Sequence, residues 1–262
     1  MKKKKLLLPI LLLAPAFLAS QVAADEQTAP ETNLEVAAAS TNATDAATPA
    51  STEADTATSE GATESSADLP EANIIHTNDV HGRIVEEKGV IGDAKLAAVI
   101  DEERAKNPST LVVDAGDAFQ GLPISNSSKG EERAKILNEI GYDAMAVGNH
   151  EFDFGLDEAK KYKEILNFPL LSSNTYINGA RLFEASTIVD KDKNVVGDEF
   201  VVIGVTTPET ATKTHPKNVQ GVTFTDPISE VNKVIDEIEA RATAEGKTYK
   251  NYVVLAQKGE KK

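Results

Sequence analysis

Ala144-Met145-Ala146-Val147-Gly148-Asn149-His150-Glu151-Phe152-Asp153 is the stretch whose reading decides this chain. An apolar run ending in glycine predicts a short buried strand that stops at a tight turn. The turn then presents an amide oxygen, an imidazole and two carboxylates within five positions. An amide oxygen can serve a hard cation, and an imidazole binds metal or carries protons. The same plan of strand, sharp turn and polar cluster occurs twice upstream. Ile74-Ile75-His76-Thr77-Asn78-Asp79-Val80-His81-Gly82 is one instance, and Leu111-Val112-Val113-Asp114-Ala115-Gly116-Asp117 is the other. Three such turns predict one site assembled at strand ends.

Around these turns the chain alternates strand and helix from Glu71 onward, the pattern of an α/β domain. Strands are expected over Ala72 to His76, Thr110 to Val113 and Ala144 to Val147, with a further short one in Pro169 to Asn174. Helices are expected over Gly92 to Lys106, Lys129 to Ile140 (ended by Gly141) and Leu156 to Leu166. Phe183 to Val196 reads as a hairpin turning near Lys191-Asp192-Lys193-Asn194, and Phe200 to Val205 as a strongly apolar strand. Thr206 to Val222 reads as a long polar loop, Ile228 to Ala244 as an amphipathic helix and Tyr252 to Ala256 as the last strand.

The N-terminus is of another kind. Met1-Lys2-Lys3-Lys4-Lys5, the apolar run Leu6 to Leu18 and the small residues Val22-Ala23-Ala24 have the form of a secretory signal peptide, residues 1–24. The apolar run is short for a membrane span, so no transmembrane segment is expected after cleavage. Residues 25–70 are Ala, Thr, Ser, Glu and Asp with a few prolines, and they hold ten acids and no Lys or Arg up to Leu69. Such a segment buries too little apolar surface to offset its ordering entropy and reads as a disordered stalk. The third segment, 71–262, is the folded domain. Cysteine is absent, which excludes disulfides and thiolate metal sites. An exported, cysteine-free chain with this layout points to a secreted or cell-surface protein of a Gram-positive bacterium. The formal charge of −15 argues against nucleic-acid polymers and anionic membranes as partners. An anionic substrate would need bound cations to reverse the local sign.

Asp79 and His81 stand two apart beyond a strand, and in an extended segment such residues point the same way and can grip one cation. Imidazole with carboxylate suits Zn, Mn or Fe better than Ca. Asp117 follows Gly116, whose missing side chain permits a sharp turn, and its two oxygens can bridge two ions. Asn149 offers an amide oxygen to the second ion, while the adjacent His150 is expected to point elsewhere. Two ions roughly 3.5–4 Å apart acidify a shared water and clamp the oxygens of an in-line displacement, for which phosphate esters are the natural target. His150 would then donate a proton to a phosphoryl or leaving oxygen. Asp153 either orients that imidazole or caps the following helix. Glu151 reads as structural or as a support behind the metal ligands, Asp114 as structural, His76 as a packed strand residue and His215 as a solvated loop histidine.

Asp79-x-His81, Gly116-Asp117 through Gly121, and Gly148-Asn149-His150-Glu151 together resemble the calcineurin-like binuclear metallophosphoesterase family. The fuller forms, His76 to Gly82 and Gly148 to Asp153, with the loop Thr206-Thr207-Pro208-Glu209-Thr210, are similar to its exported 5′-nucleotidase branch. That branch includes UDP-sugar hydrolases and 2′,3′-cyclic-nucleotide phosphodiesterases. The resemblance covers about Ala72 to Ala256. It implies a four-layer α/β/β/α sandwich, two divalent ions (Zn, Mn or similar) and hydrolysis of nucleotide phosphate esters. It also implies that Asp79, His81 and Asp117 hold one ion, Asp117 and Asn149 the second, and that His150 and Asp153 are the catalytic pair.

One position departs from the family pattern. The family carries a metal-binding histidine after the strand corresponding to Tyr252–Ala256, where this chain has Gln257. A later Gly-His-x-His motif and a nucleoside-binding domain would lie beyond Lys262. The expectation is therefore a sandwich incomplete at its C-terminus, with weak metal binding and little turnover from this chain alone. The alternative function is a catalytically impaired remnant acting as a surface or metal-binding module.

Overall fold

The computed structural model describes residues 73–195 and 197–257. The expected signal peptide and stalk, residues 1–70, lie outside the described residues.

The first half of the domain runs β1 (Ile74–Thr77), α1 (Asp93–Lys106), β2 (Leu111–Asp114), α2 (Pro123–Asn126), α3 (Glu131–Ile140), β3 (Ala144–Ala146), α4 (Leu156–Ile165) and β4 (Leu170–Leu171). Its four strands form one parallel sheet in sequential order. Right-handed crossovers between sequential parallel strands all return over the same face, so α1, α3 and α4 share it. Val112 and Met145 point to that face and pack with Ile100, Leu137 and Tyr162. Their neighbours Leu111, Val113, Ala144 and Ala146 point the other way. A strand buried on both faces reads as a continuous apolar run, which is why β2 shows no alternation in its sequence.

The opposite face is covered by a second sheet. The chain continues through β5 (Thr175–Ile177), β6 (Ala180–Arg181), β7 (Ser186–Val189), β8 (Phe200–Thr206), α5 (Thr210–Lys213), β9 (Val222–Phe224), α6 (Pro227–Ala244) and β10 (Asn251–Gln257). β8 lies between β10, parallel to it, and β7, antiparallel. Phe200 and Val202 pack against Leu111, Val113 and Leu255 between the sheets, whereas Val201 and Ile203 meet Val234 and Ile238 of α6. Each such buried aliphatic side chain contributes about 1.5–3 kcal/mol. The layers are thus helix, sheet, sheet, helix, the α/β/β/α sandwich expected. α6 begins at Asp226, whose side chain accepts the Ser229 N–H at 2.8 Å, with Pro227 in the first turn. A small antiparallel sheet, β6-β5-β9, packs beside the main layers.

On the side away from β8, no described strand pairs with β10, and none pairs with β1 opposite β2. Both outer edges line one cleft of about 410 Å³, in which Ile74 and Val254 are exposed.

Four local expectations are corrected. The hairpin expected over Phe183 to Val196 has its first arm at Ser186–Val189, and the second arm is the apolar strand β8, from Phe200 onward. The helix expected from Lys129 starts at Glu131, because Lys129 and Gly130 have positive φ. The loop Thr206 to Val222 contains α5 and a 3₁₀ turn at Pro216–Val219. His76 is exposed rather than packed, because β1 is an edge strand.

Candidate metal centre

Because β1, β2 and β3 run parallel, their C-terminal tips lie at one edge of the sheet, the usual place for a site in such folds. The tips are tied together by the backbone. Asp79 N–H donates to Gly116 C=O and His81 N–H to Asp117 C=O, each at 3.0 Å. His150 N–H donates to Asp117 Oδ1 at 2.8 Å. Glu151, fully buried, completes the tie: its carboxylate accepts the N–H groups of Asp117, Ala118 and Gly148 at 2.8, 2.9 and 2.7 Å. Burial pushes the Glu151 carboxyl up to about 8. The turns approach so closely that a methyl group on Gly148 would collide with Asp117 Oδ1, and one on Gly116 would lie 2.7 Å from Gly148 N.

Asp79, His81 and Asp117 all have left-handed backbones, with φ of 51°, 51° and 60°. Asp and His tolerate this region better than most residues, yet each such residue costs of order 1–3 kcal/mol. Asp79 and His81 therefore do not converge as the alternating side chains of an extended segment would. The backbone turns back at each of them, and Asp79 Oδ1 comes within 3.8 Å of His81 Nε2.

His81 Nδ1 lies 3.1 Å from Gln120 C=O, which can only accept, so Nδ1 carries the hydrogen and Nε2 keeps its lone pair for the site. Asp117 is 1% exposed, and burial raises its carboxyl above the ordinary range, with Asp79 adding to the effect and the His150 backbone opposing it. One ligand atom from each of His81, Asp117 and His150 lies within 4.8 Å of the others. A buried carboxylate and two imidazoles, with the Asp79 carboxylate 3.8 Å from His81 Nε2, fit a divalent cation. Asn149, 5% exposed, sits between Gly148 and His150 at the same junction.

His150 does not point elsewhere. Its ring stands edge-on to that of His81, centroids 5.0 Å apart. Nδ1 lies 2.6 Å from Asp153 Oδ2, and that hydrogen bond raises the imidazole above its ordinary value despite partial burial. Its Nε2 stays free to face the site. For Asp153, burial raises the carboxyl, but hydrogen bonds from His150 and Thr214 outweigh it and the net shift is downward. Asp153 does not cap the following helix, which starts after Gly155. Thr214 Oγ1 donates to Asp153 Oδ1 at 2.7 Å and Asn218 Nδ2 to its backbone oxygen at 2.9 Å. Neither residue was singled out from the sequence, because nothing local marks a polar loop residue as facing a carboxylate sixty positions upstream. Asp114 has the structural part expected, accepting from Thr77 Oγ1 and Gly116 N–H. His215 is exposed and accepts the Lys217 N–H. At the tip of β10, Gln257 Nε2 donates to Asp117 Oδ2 at 2.7 Å.

The calcineurin-like phosphoesterase family model matches residues 72–256, nearly the whole described domain. The chain belongs to that family. The family is divalent-metal dependent, in keeping with the donors gathered at the strand tips. A 5′-nucleotidase of Vibrio cholerae is 42% identical over 175 residues, which is 64% of this chain and 31% of that protein. The calcineurin-like phosphoesterase YfkN from Bacillus subtilis superposes with a TM-score of 0.61 at 28% identity, over 72% of this chain and 63% of that one. The 5′-nucleotidase precursor from Thermus thermophilus superposes with a TM-score of 0.58 at 31% identity, over 71% of this chain and 37% of that one. The chain thus spans about a third of the length of the curated relative. Among the described residues, no helix is long and apolar enough to cross a membrane.

Proposed function

We propose that the chain carries the metal-binding catalytic domain of an exported 5′-nucleotidase-type phosphoesterase that hydrolyses nucleotide phosphate esters. The observation that carries this reading is the convergence of three strand tips, two joined by Glu151 and the first tied on by the Asp79 and His81 N–H groups, on Asp79, His81, Asp117 and the His150–Asp153 pair. The nucleotide as substrate rests on the 5′-nucleotidases it is similar to. Export rests on residues 1–24, with 25–70 as the stalk. The Gram-positive source expected from composition has no support among the relatives.

Asp79, His81 and Asp117 would hold one divalent ion, and Asp117 with Asn149 the second. When bound, the two ions supply an acidified water and neutralise phosphoryl charge. Asp117 is fixed for bridging by the His150 backbone N–H on one oxygen, and Glu151 locks the loops on either side of it. His150 gives its Nε2 proton to the leaving ester oxygen as the P–O bond breaks, and Asp153 holds the ring and stabilises its charge. The test is phosphate release from AMP by the purified chain. EDTA should abolish release and Mn²⁺ or Zn²⁺ restore it. No release above buffer with either metal would reject catalysis. A second reading, a metal-binding module without turnover, is favoured by Gln257 on Asp117 and predicts cation binding in calorimetry with no phosphate released.

A further inference from the structure

The orientation of the His150 ring depends on Asp153, and the orientation of Asp153 has a support of its own. The two carboxylate oxygens are used separately: Oδ2 faces His150 Nδ1 at 2.6 Å, and Oδ1 accepts from Thr214 Oγ1 at 2.7 Å. The terminal torsion of an aspartate is broad and roughly two-fold, so a bond at one oxygen alone lets the carboxyl plane swing. A quarter-turn would carry Oδ2 off the line of the imidazole N–H, and a hydrogen bond weakens steeply with such misalignment. Bonds at both oxygens fix the plane.

Thr214 is well placed to be the rigid end of this chain. It is 4% exposed, although it stands in the polar loop between α5 and the 3₁₀ turn at Pro216–Val219. Its N–H returns to Thr210 C=O, and Thr210 Oγ1 donates to Thr207 C=O at 2.6 Å. Asn218 Nδ2 ties the same loop to the Asp153 backbone oxygen, and Val219 is buried in the same core as Phe152. A β-branched side chain is stiff at its first torsion, so this anchored backbone sets the direction of the hydroxyl. Asp153 itself is less enclosed, its side chain being 21% exposed. Without the threonine hydroxyl, water would compete for Oδ1.

We propose that Thr214 is a positioning residue for the proton transfer, acting through Asp153 to hold the His150 ring in the orientation from which it protonates the leaving oxygen. This rests on the phosphoesterase reading above and adds a third member to its His150–Asp153 pair. The P–O bond breaks with its electrons going to the ester oxygen, and His150 Nε2 gives that oxygen its proton. Thr214 exchanges no proton; its hydroxyl donates to Oδ1 throughout. The loop after β8, in the second sheet, thus sets the geometry of a pair that follows β3, in the first.

The leaving group supplies the test. AMP releases a ribose oxygen that must be protonated as it departs, whereas p-nitrophenyl phosphate releases a phenolate that leaves without a proton. Both substrates are turned over by the full chain in Mn²⁺, as wild type, Thr214→Val and Thr214→Ser. The valine keeps the shape and removes the donor; the serine keeps the donor. Thr214→Val should lower kcat on AMP about tenfold or more, the scale of one hydrogen bond to a charged group, with KM and p-nitrophenyl phosphate turnover unchanged. Thr214→Ser should restore most of the AMP rate. Equal losses on both substrates, or an unchanged AMP rate, overturn the proposal.

A second readout needs neither turnover nor metal. In EDTA, the proton NMR spectrum of the wild type should hold a far-downfield resonance from the His150 Nδ1–H bonded to Asp153, identified by its loss in His150→Asn. It should vanish or move upfield in Thr214→Val and persist in Thr214→Ser. An unchanged resonance in Thr214→Val, or none in the wild type, overturns the proposal. Thermal unfolding checks that each variant folds, and Thr214→Ala is read in place of a Thr214→Val that does not. A wild type that shows this pattern but releases no phosphate rejects the catalytic reading and leaves Thr214 as the residue that orients the pair.

Discussion

Replacing Asp114 by Asn removes a buried charge while leaving both hydrogen-bond partners in place. Asp114 is fully buried, with Oδ2 accepting from Thr77 Oγ1 at 2.5 Å and Oδ1 from Gly116 N–H at 2.7 Å. Burial pushes its carboxyl from 3.8 up to about 7; the two donors oppose that rise, and the Asp117 and Asp79 carboxylates add to it. Over that interval the folded protein holds a proton that the unfolded chain has released. The stabilisation is therefore fully present below the unfolded value and is lost as pH rises through the folded one. At about 1.4 kcal/mol per pH unit, the displacement amounts to about 4 kcal/mol between roughly pH 4 and pH 8. An asparagine keeps an oxygen for Gly116 and offers its NH₂ to Thr77 Oγ1, which can then donate to Tyr142 OH, 2.9 Å away. The assay is urea unfolding across pH in EDTA, which keeps divalent ions out of the comparison. The expected result is a wild-type stability that falls by about 4 kcal/mol more than that of Asp114→Asn. Parallel pH profiles for the two proteins would refute the reasoning.

Four further outcomes follow from the same geometry. Glu151→Gln turns one of two acceptor oxygens into a donor facing backbone N–H groups; urea unfolding should show a loss of about 1–3 kcal/mol, and an unchanged midpoint would remove Glu151 as the tie between the tips. Asp93→Ala leaves the fully buried Arg133 guanidinium, already pushed down to about 10 by burial, without its ion-pair partner, and should cost about 3–5 kcal/mol. The double variant Asp93→Leu/Arg133→Met should cost less than that single change, and the opposite order would show that the pair itself stabilises. His150→Asn should slow phosphate release from AMP roughly 10²–10⁴-fold. Asp153→Asn should move the alkaline limb of the rate profile to lower pH, because the carboxylate charge that helps raise His150 is gone and the remaining bond is to a neutral amide; a limb that stays in place would assign that limb to another group.

The central strands were legible because they are buried on both faces and therefore write unbroken apolar runs, whereas their four-layer stacking came from the family resemblance alone. Leu111–Asp114 and Phe200–Thr206 are buried throughout. Gly141, with φ of 79°, ended α3 where its sequence said it would. Lengths of hairpin arms were less legible: Val195 and Val196 look like strand residues, but β8 starts only at Phe200. The exposure of His76 depends on β1 being an edge, and strand order is a long-range property that a local pattern does not carry. At the site, the residue types were legible and the geometry was not. Asp79 and His81 meet through left-handed backbone rather than by strand alternation. His150 lies against His81 rather than away from it. Glu151 read as structural or as a support, but its bonds to three separate N–H groups could only be seen in three dimensions.

The outer border of β10 has a consequence of its own. Seven residues, Asn251 to Gln257, run there without a charge or a proline, and no described strand satisfies their outward N–H and C=O groups. Natural sheets blunt such borders with lysine, proline or a bulge, because any extended segment can zip onto them. A concentrated solution of this chain should therefore associate reversibly through added strands, and a single lysine at the exposed Val254 should keep it monomeric.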